Sequence, residues 1–196
     1  MNKTIFLLLL FSATLTNQRL IAQNSGKTLD GFLDLRWGDN SETVKRKMLK
    51  RDGVVFDTEQ SNKERMSFKG GLFAGEKVHQ FAISFHDDKF FTAMVFLDDI
   101  GCEYFIQKLW SIKNGISEKY GKPLVDVELF KSDSCHELYK IIGQEKDEAE
   151  WCFAANGKDT CAIFLVVFPI NEFAKYGLKI SYQNMRITKE YLKKDF

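Results

Sequence analysis

The stretch VHQFAISFHDDKFFTAMVFL, residues 78–97, decides the fold. Two apolar runs, 78–86 and 90–97, flank Asp87-Asp88. Both are rich in aromatic and β-branched residues, the side chains that suit a pleated, half-buried strand. Aspartate tolerates the left-handed backbone of a tight turn, so the pair predicts a hairpin. With Asp87-Asp88 as the two turn residues, Phe85 sits opposite Phe90, Ile83 opposite Thr92 and Phe81 opposite Met94. That face, completed by Phe96, is the expected core. The other face carries Gln80, Ala82, Ser84, Phe91, Ala93 and Val95. It is mixed, and Phe91 on it is the candidate contact surface.

Helical signals lie on either side of this hairpin. Upstream, residues 32–38 (FLDLRWG) read as one short strand running into a helix at 42–51, with Asp39, Asn40 or Ser41 as caps. That helix places Val44, Met48 and Leu49 on one side and ends at Asp52-Gly53. Downstream, Phe105, Leu109, Ile112, Ile116 and Tyr120 recur at helical spacing, and Gly121 and Pro123 stop the run. Gly115 inside it lowers helix propensity. Further strands are expected at 54–57, 65–69, 124–131, 136–143, 149–155, 160–168 and 178–185, with a charged, short helix or frayed tail after 188. The order helix, strands, helix, strands predicts an α+β fold, mainly antiparallel sheet packed by two principal helices. Two α-β4 modules, 32–98 and 99–186, would account for the order, although the halves share almost no residue identity.

The first residues read as a secretory leader. Lys3 gives a basic start and residues 5–15 an apolar segment too short to cross a membrane. Cleavage is expected after Ala22, leaving residues 23–196 as a single domain of about 174 residues. The expected location is the periplasm or the exterior, with no membrane-spanning segment after leader removal. The whole chain of 196 residues has a net charge of +1, and loss of Lys3 and Arg19 leaves 26 basic against 27 acidic residues. A near-neutral surface gives no electrostatic pull toward nucleic acid.

The chemistry-bearing residues form no recognisable catalytic set. His79 and His86 are seven apart, so a regular strand would aim them to opposite faces. The basic run at 45–51 suits the solvated side of an amphipathic helix, or an anion patch. Asp87-Asp88 and Asp98-Asp99 sit where a turn and a helix start favour aspartate. The glycines at 70–75 match neither dinucleotide nor P-loop spacing, and no nucleophile elbow or zinc-protease motif occurs. No catalytic, cofactor or metal residue is assigned.

The cysteines invite a separate reading. In WCFAANGKDTC, residues 151–161, Asn156-Gly157 is a strong hairpin turn. With those two as the turn, Cys152 falls opposite Cys161 at a site where Cα atoms approach to about 4.5 Å, near the lower limit for a disulfide. An oxidising compartment admits that bond. Cys102 and Cys135 would complete an even count, as a possible second disulfide that no geometry supports. Cys102, in the first turn of the second helix, could instead be a reactive or a buried thiol.

Trp37-Gly38-Asp39-Asn40-Ser41 with Val44, the run Phe68 through Gly75, and Lys119-Tyr120-Gly121-Lys122-Pro123 resemble motifs of small exported bacterial proteins of unknown function. The helix-then-sheet order also resembles β-lactamase-inhibitor-type modules and small outer-membrane-assembly proteins at the level of fold. These motifs are architectural. The leading expectation is an exported, non-enzymatic protein that binds a partner protein or an envelope component. The alternative is a periplasmic hydrolase acting on envelope material, for which Asp34, Arg36 and His79 would have to converge in a closed cleft. Expressed in an exporting host, the protein is expected to begin at Gln23. N-terminal sequencing that found Met1 on exported protein would refute the leader assignment.

Overall fold

The computed structural model describes residues 29–123, 148–155, 158–171 and 175–193. The leader, the strands expected at 124–131 and 136–143, Cys135 and the Asn156-Gly157 turn lie outside the described residues. The elements, in order, are β1 (Gly31–Phe32), β2 (Leu35–Arg36), α1 (Ser41–Met48), β3 (Val54–Asp57), β4 (Arg65–Gly70), β5 (Leu72–Phe73), β6 (Glu76–His86), β7 (Lys89–Gly101), α2 (Cys102–Tyr120), β8 (Glu148–Ala155), β9 (Lys158–Asn171), β10 (Lys175–Asn184) and α3 (Met185–Leu192). β7 runs on through Asp98 and Asp99, so α2 opens at Cys102 rather than at a cap provided by that pair.

The protein is α+β, with every strand pair antiparallel. The large sheet has the order β3-β4-β6-β7-β10-β9-β8, with β5 hanging from β6. Two meanders therefore meet at their last strands, β7 and β10. α1 precedes the first meander and α2 precedes β8–β10, and the sheet is continuous across the junction.

The 78–97 hairpin forms, but not in the regular register. Asp87 (φ 49°) and Asp88 (φ 58°) make the two-residue turn, and Phe85 pairs with Phe90. One residue later the ladder slips: Ser84 pairs with Thr92, Ile83 with Ala93, Ala82 with Met94 and Phe81 with Val95. Phe91 is the extra residue of a β-bulge, which reverses the faces of everything beyond it on β7. The core face is Phe90, Ala93, Val95 and Leu97, not Thr92, Met94 and Phe96. Leu178, Ile180 and Tyr182 of β10 align with Leu97, Val95 and Ala93 on that face.

α1 and α2 cover this face. Val44 and Met48 from α1, and Phe105, Leu109, Ile112, Ile116 and Tyr120 from α2, join the same buried cluster as Phe68, Phe81 and Ile83. Leu49, expected inside, is exposed because α1 ends at Met48 and Leu49 is its C-cap. α3 lies on the opposite face. Successive strand residues alternate, Phe85 is in the core cluster, and its neighbour His86 meets the ring of Tyr191 at 5.6 Å.

The segment expected as one strand at 32–38 is a tight hairpin, because Leu33 adopts φ 56° and folds β2 back on β1. Gly31 is required there: a Cβ on it would collide with the Leu35 carbonyl oxygen. Gly38 and Phe90 then lock the N-terminal segment to the central hairpin. The Gly38 N–H donates to the Phe90 carbonyl at 2.9 Å, and the Phe90 N–H donates to the Asp39 carbonyl at 2.9 Å. The start of α1 is satisfied from two sides. Asn40 Oδ1 accepts from the Thr43 N–H at 2.9 Å, and Asp88 Oδ1 accepts from the Ser41 N–H at 3.0 Å. A helix N-terminus favours a nearby negative charge.

Hydrogen bonds from the Ser41 side chain and backbone hold the Asp88 carboxyl below the ordinary value of 3.8. A depressed carboxylate contributes stability above its unfolded pKa and loses it as pH falls through the lower folded value. Asp88→Asn keeps the acceptor and the turn conformation but removes the charge. Urea midpoints measured between pH 6 and pH 2 are expected to fall less steeply below pH 3.8 in this variant than in the wild type. Parallel curves would show that the Asp88 charge does not support α1.

Candidate functional site

The motif residues at 37–41 are occupied in holding the fold. Trp37 Nε1 donates to the Leu29 carbonyl at 2.7 Å, and its ring packs on Phe90 with centroids 4.8 Å apart. Asp39 Oδ2 accepts from Lys47 Nζ at 2.8 Å and from the Arg36 N–H at 3.0 Å. Partial burial pulls its pKa upward, but the Lys47 and Arg36 bonds outweigh it and hold the carboxyl below its ordinary value.

The other two motif regions, with the β1–β2 hairpin, enclose a cavity of about 290 Å³. Its floor is aromatic: Phe32 stacks on Phe73 with centroids 6.1 Å apart and meets the Tyr182 ring at a tilt, 5.0 Å away. Ile112, Ile116 and Tyr120 of α2 form one wall, and Leu72 and Ala74 the other. Arg51 and Lys119 are its cationic residues. Leu33, at 39% exposed, and Leu72, at 58%, bring apolar side chains to the opening. The volume is at the small end of the range for ligand sites, roughly 300–1,000 Å³.

Two non-glycine residues on this wall, Leu33 (φ 56°) and Ala74 (φ 51°), are held in the left-handed region. That conformation costs of order 1–3 kcal/mol for an ordinary side chain. Gly115, on the α2 wall, has the opposite character. A Cβ there would meet nothing within 4 Å. Neither packing nor backbone conformation requires glycine at 115; its effect is to leave the opening wide.

The polar groups of the cavity suit binding better than proton transfer. Burial, and then the neighbouring Tyr120, push the Tyr182 phenol above its ordinary 10.0. The hydroxyl stays protonated at neutral pH. Arg51 Nη1 lies 3.2 Å from Asp34 Oδ1, and Lys119 Nζ stands 5.0 Å from the Tyr120 ring centre.

A second, polar cleft of about 460 Å³ lies beside the β6–β7 turn, lined by Lys63, Glu64, His86, Asp87, Asp88 and Tyr191. His86 Nε2 is 3.7 Å from Asp87 Oδ2, beyond hydrogen-bond reach. Tyr191 packs against both His86 and Phe91, and Asp88 is committed to α1.

On the sheet face away from α1 and α2, Lys69 Nζ meets Asp57 Oδ2 at 2.8 Å. The bond lowers the carboxyl and raises the ammonium, so both remain charged. Ser61 Oγ donates to the Asp57 carbonyl at 2.5 Å and accepts from the Ser67 N–H at 2.9 Å. This network ties the β3–β4 connection to the sheet.

Several expected site residues change character. Phe91 is not an exposed contact residue: it is 6% exposed, with the Tyr191 ring 5.6 Å away. Cys152 is not opposite Cys161. A register shift after Phe153 pairs Cys152 with Ala162 and Phe153 with Cys161. The hairpin argument for a Cys152–Cys161 bond assumed a regular ladder, which this shift removes. Cys161 is buried and Cys102 begins α2. Asp34, Arg36 and His79 are exposed and line neither cavity. In the basic run, Lys45 stands over Phe56 at 3.9 Å, Lys47 binds Asp39 and Arg51 binds Asp34. Among the described residues, no three His, Cys, Asp or Glu side chains group as metal ligands, and no helix is long and apolar enough to cross a membrane.

No protein-family profile, curated protein or solved structure matches the chain.

Gly115→Ala should raise stability by about 0.5–1 kcal/mol, through lost backbone freedom in the unfolded chain and better helix propensity. Denaturant unfolding measures it. A destabilised variant would mean that glycine is structurally required at 115.

Proposed function

We propose that the protein is an exported, non-enzymatic binding protein whose cavity between α2, the β1–β2 hairpin and the β5 turn takes an apolar group of an envelope component or a partner protein. The observation that carries this is the composition of the cavity. Its walls are largely hydrocarbon and aromatic rings, and the buried Tyr182 hydroxyl among them is held protonated. Apolar walls with a few placed polar groups are the general form of a binding site. A general base would need a pKa near the working pH. The leader-like start and the resemblance of its motifs to small exported proteins support the same reading.

The competing hydrolase reading has one observation in its favour, the His86 and Asp87 side chains in a polar cleft. A nucleophile within hydrogen-bond reach of the base is what activates such a site. His86 instead has an aromatic edge contact with Tyr191 and a distant, exposed Asp87.

Gly115→Leu would add a side chain at the opening of the cavity, where its Cβ meets no neighbour. Mature wild-type protein incubated with envelope extract and repurified is expected to carry an extractable apolar component that this variant lacks. Equal loads on both proteins would refute the cavity as the binding site. Ester or amide hydrolysis abolished by His86→Ala would replace the binding reading with the hydrolase.

A further inference from the structure

We propose that the ligand is an anionic amphiphile, a single short apolar chain ending in a carboxylate or similar anion, with the chain inside the cavity and the head at Arg51 and Lys119. The inference rests on the binding reading and specifies its chemistry.

Three independent features converge on it. First, the cavity has an apolar interior and two cations, and among the described residues no carboxylate lines it. Asp34 engages one Arg51 nitrogen, Nη1. A guanidinium carries five N–H donors in a planar fork, so donors remain for an incoming carboxylate. Second, Leu33 and Leu72 place apolar side chains in solvent at this opening. Exposed apolar groups gathered at one site mark contact with an apolar partner. A chain passing between them would cover both. Third, the opening is kept clear against local preference. Gly115, which lines the opening, weakens α2 where the Cβ of an alanine would meet nothing.

The volume limits the guest. At roughly 30 Å³ for each water-sized group, about 290 Å³ accommodates a single short chain rather than a whole two-chain lipid. The source is then either a free amphiphilic acid or one chain of a bilayer lipid reached at the membrane surface.

Calorimetric titration of the mature protein with decanoate and with decanol separates charge from chain. Decanoate is expected to bind about tenfold more tightly, corresponding to about 1.4 kcal/mol. In the double variant Arg51→Gln/Lys119→Gln the preference should vanish, with decanoate affinity falling to that of decanol. Gly115→Leu should weaken both ligands. Flotation with vesicles of phosphatidylglycerol and of phosphatidylcholine identifies the source. Binding to the first alone supports a lipid, and decanoate binding without flotation supports a free acid. Equal affinity for decanoate and decanol, or saturable binding to neither decanoate nor vesicles, overturns the proposal. If a Gly115-dependent component from envelope extract nonetheless remains bound, the ligand class is wrong and the binding site stands. If that is lost as well, the binding reading falls with it.

Discussion

At Phe91, β7 carries one more residue than the β6 strand it pairs with. The rest of the sheet depends on that residue. Beyond it, Ala93, Val95 and Leu97 turn inward and meet Tyr182, Ile180 and Leu178 across the β7–β10 seam. Without the bulge, Thr92, Met94 and Phe96 would face the helices in place of Ala93, Val95 and Leu97. The seam is where the two meanders join, so the bulge also fixes how α1 and α2 come to lie over one face. The displaced residue is itself used. Phe91 is the surface on which Tyr191 docks, so one irregularity sets the core on one side and seats the C-terminal helix on the other.

The hairpin tip has a comparable double role. Asp87 and Asp88 both take positive φ, which a two-residue turn with the natural twist requires. This projects the Asp88 carboxylate onto the first N–H groups of α1. The turn thus supplies a helix cap from 47 residues away in sequence. Together with the reciprocal Gly38–Phe90 and Phe90–Asp39 bonds, it locks the N-terminal segment to the sheet. Positioning the β1–β2 hairpin in this way brings Phe32 against Phe73 and Tyr182, and so creates the cavity floor.

Features with a strong local period were legible in the sequence. The α2 stripe from Phe105 to Tyr120 is buried at every expected position, and the Leu178, Ile180, Tyr182 alternation points inward as read. Features set by one extra residue were not. A bulge leaves composition unchanged while reversing every later side chain, which is why the β7 face and the Cys152–Cys161 pairing both came out one residue off. The β1–β2 hairpin was hidden for a related reason. Its turn places Leu33, a residue with no turn preference, at positive φ, and only the tertiary contacts of Phe32 and Leu35 support it. The cavity draws on five separate segments. Its one sequence signal was Gly115, visible as a weak point in a strong helix but without its meaning until the space beside it was seen.

That glycine bears on how stability and binding are balanced here. The inner stripe of α2, Phe105, Leu109, Ile112, Ile116 and Tyr120, is buried throughout. At exposed Gly115, beside that stripe, the helix gives up a side chain whose Cβ would meet nothing. Leu33 and Ala74 sit in the two-residue turns that close β1–β2 and β5–β6, where positive φ is required, so of the three only Gly115 supports no neighbour. The charges follow the same logic. Most basic side chains of α1 with a defined partner are spent on the fold, Lys45 on Phe56 and Lys47 on Asp39. Arg51, at the end of that run, reaches the cavity with donors to spare. The basic run is therefore neither a uniform solvated face nor a general anion patch. It is a structural surface whose last residue lines the cavity.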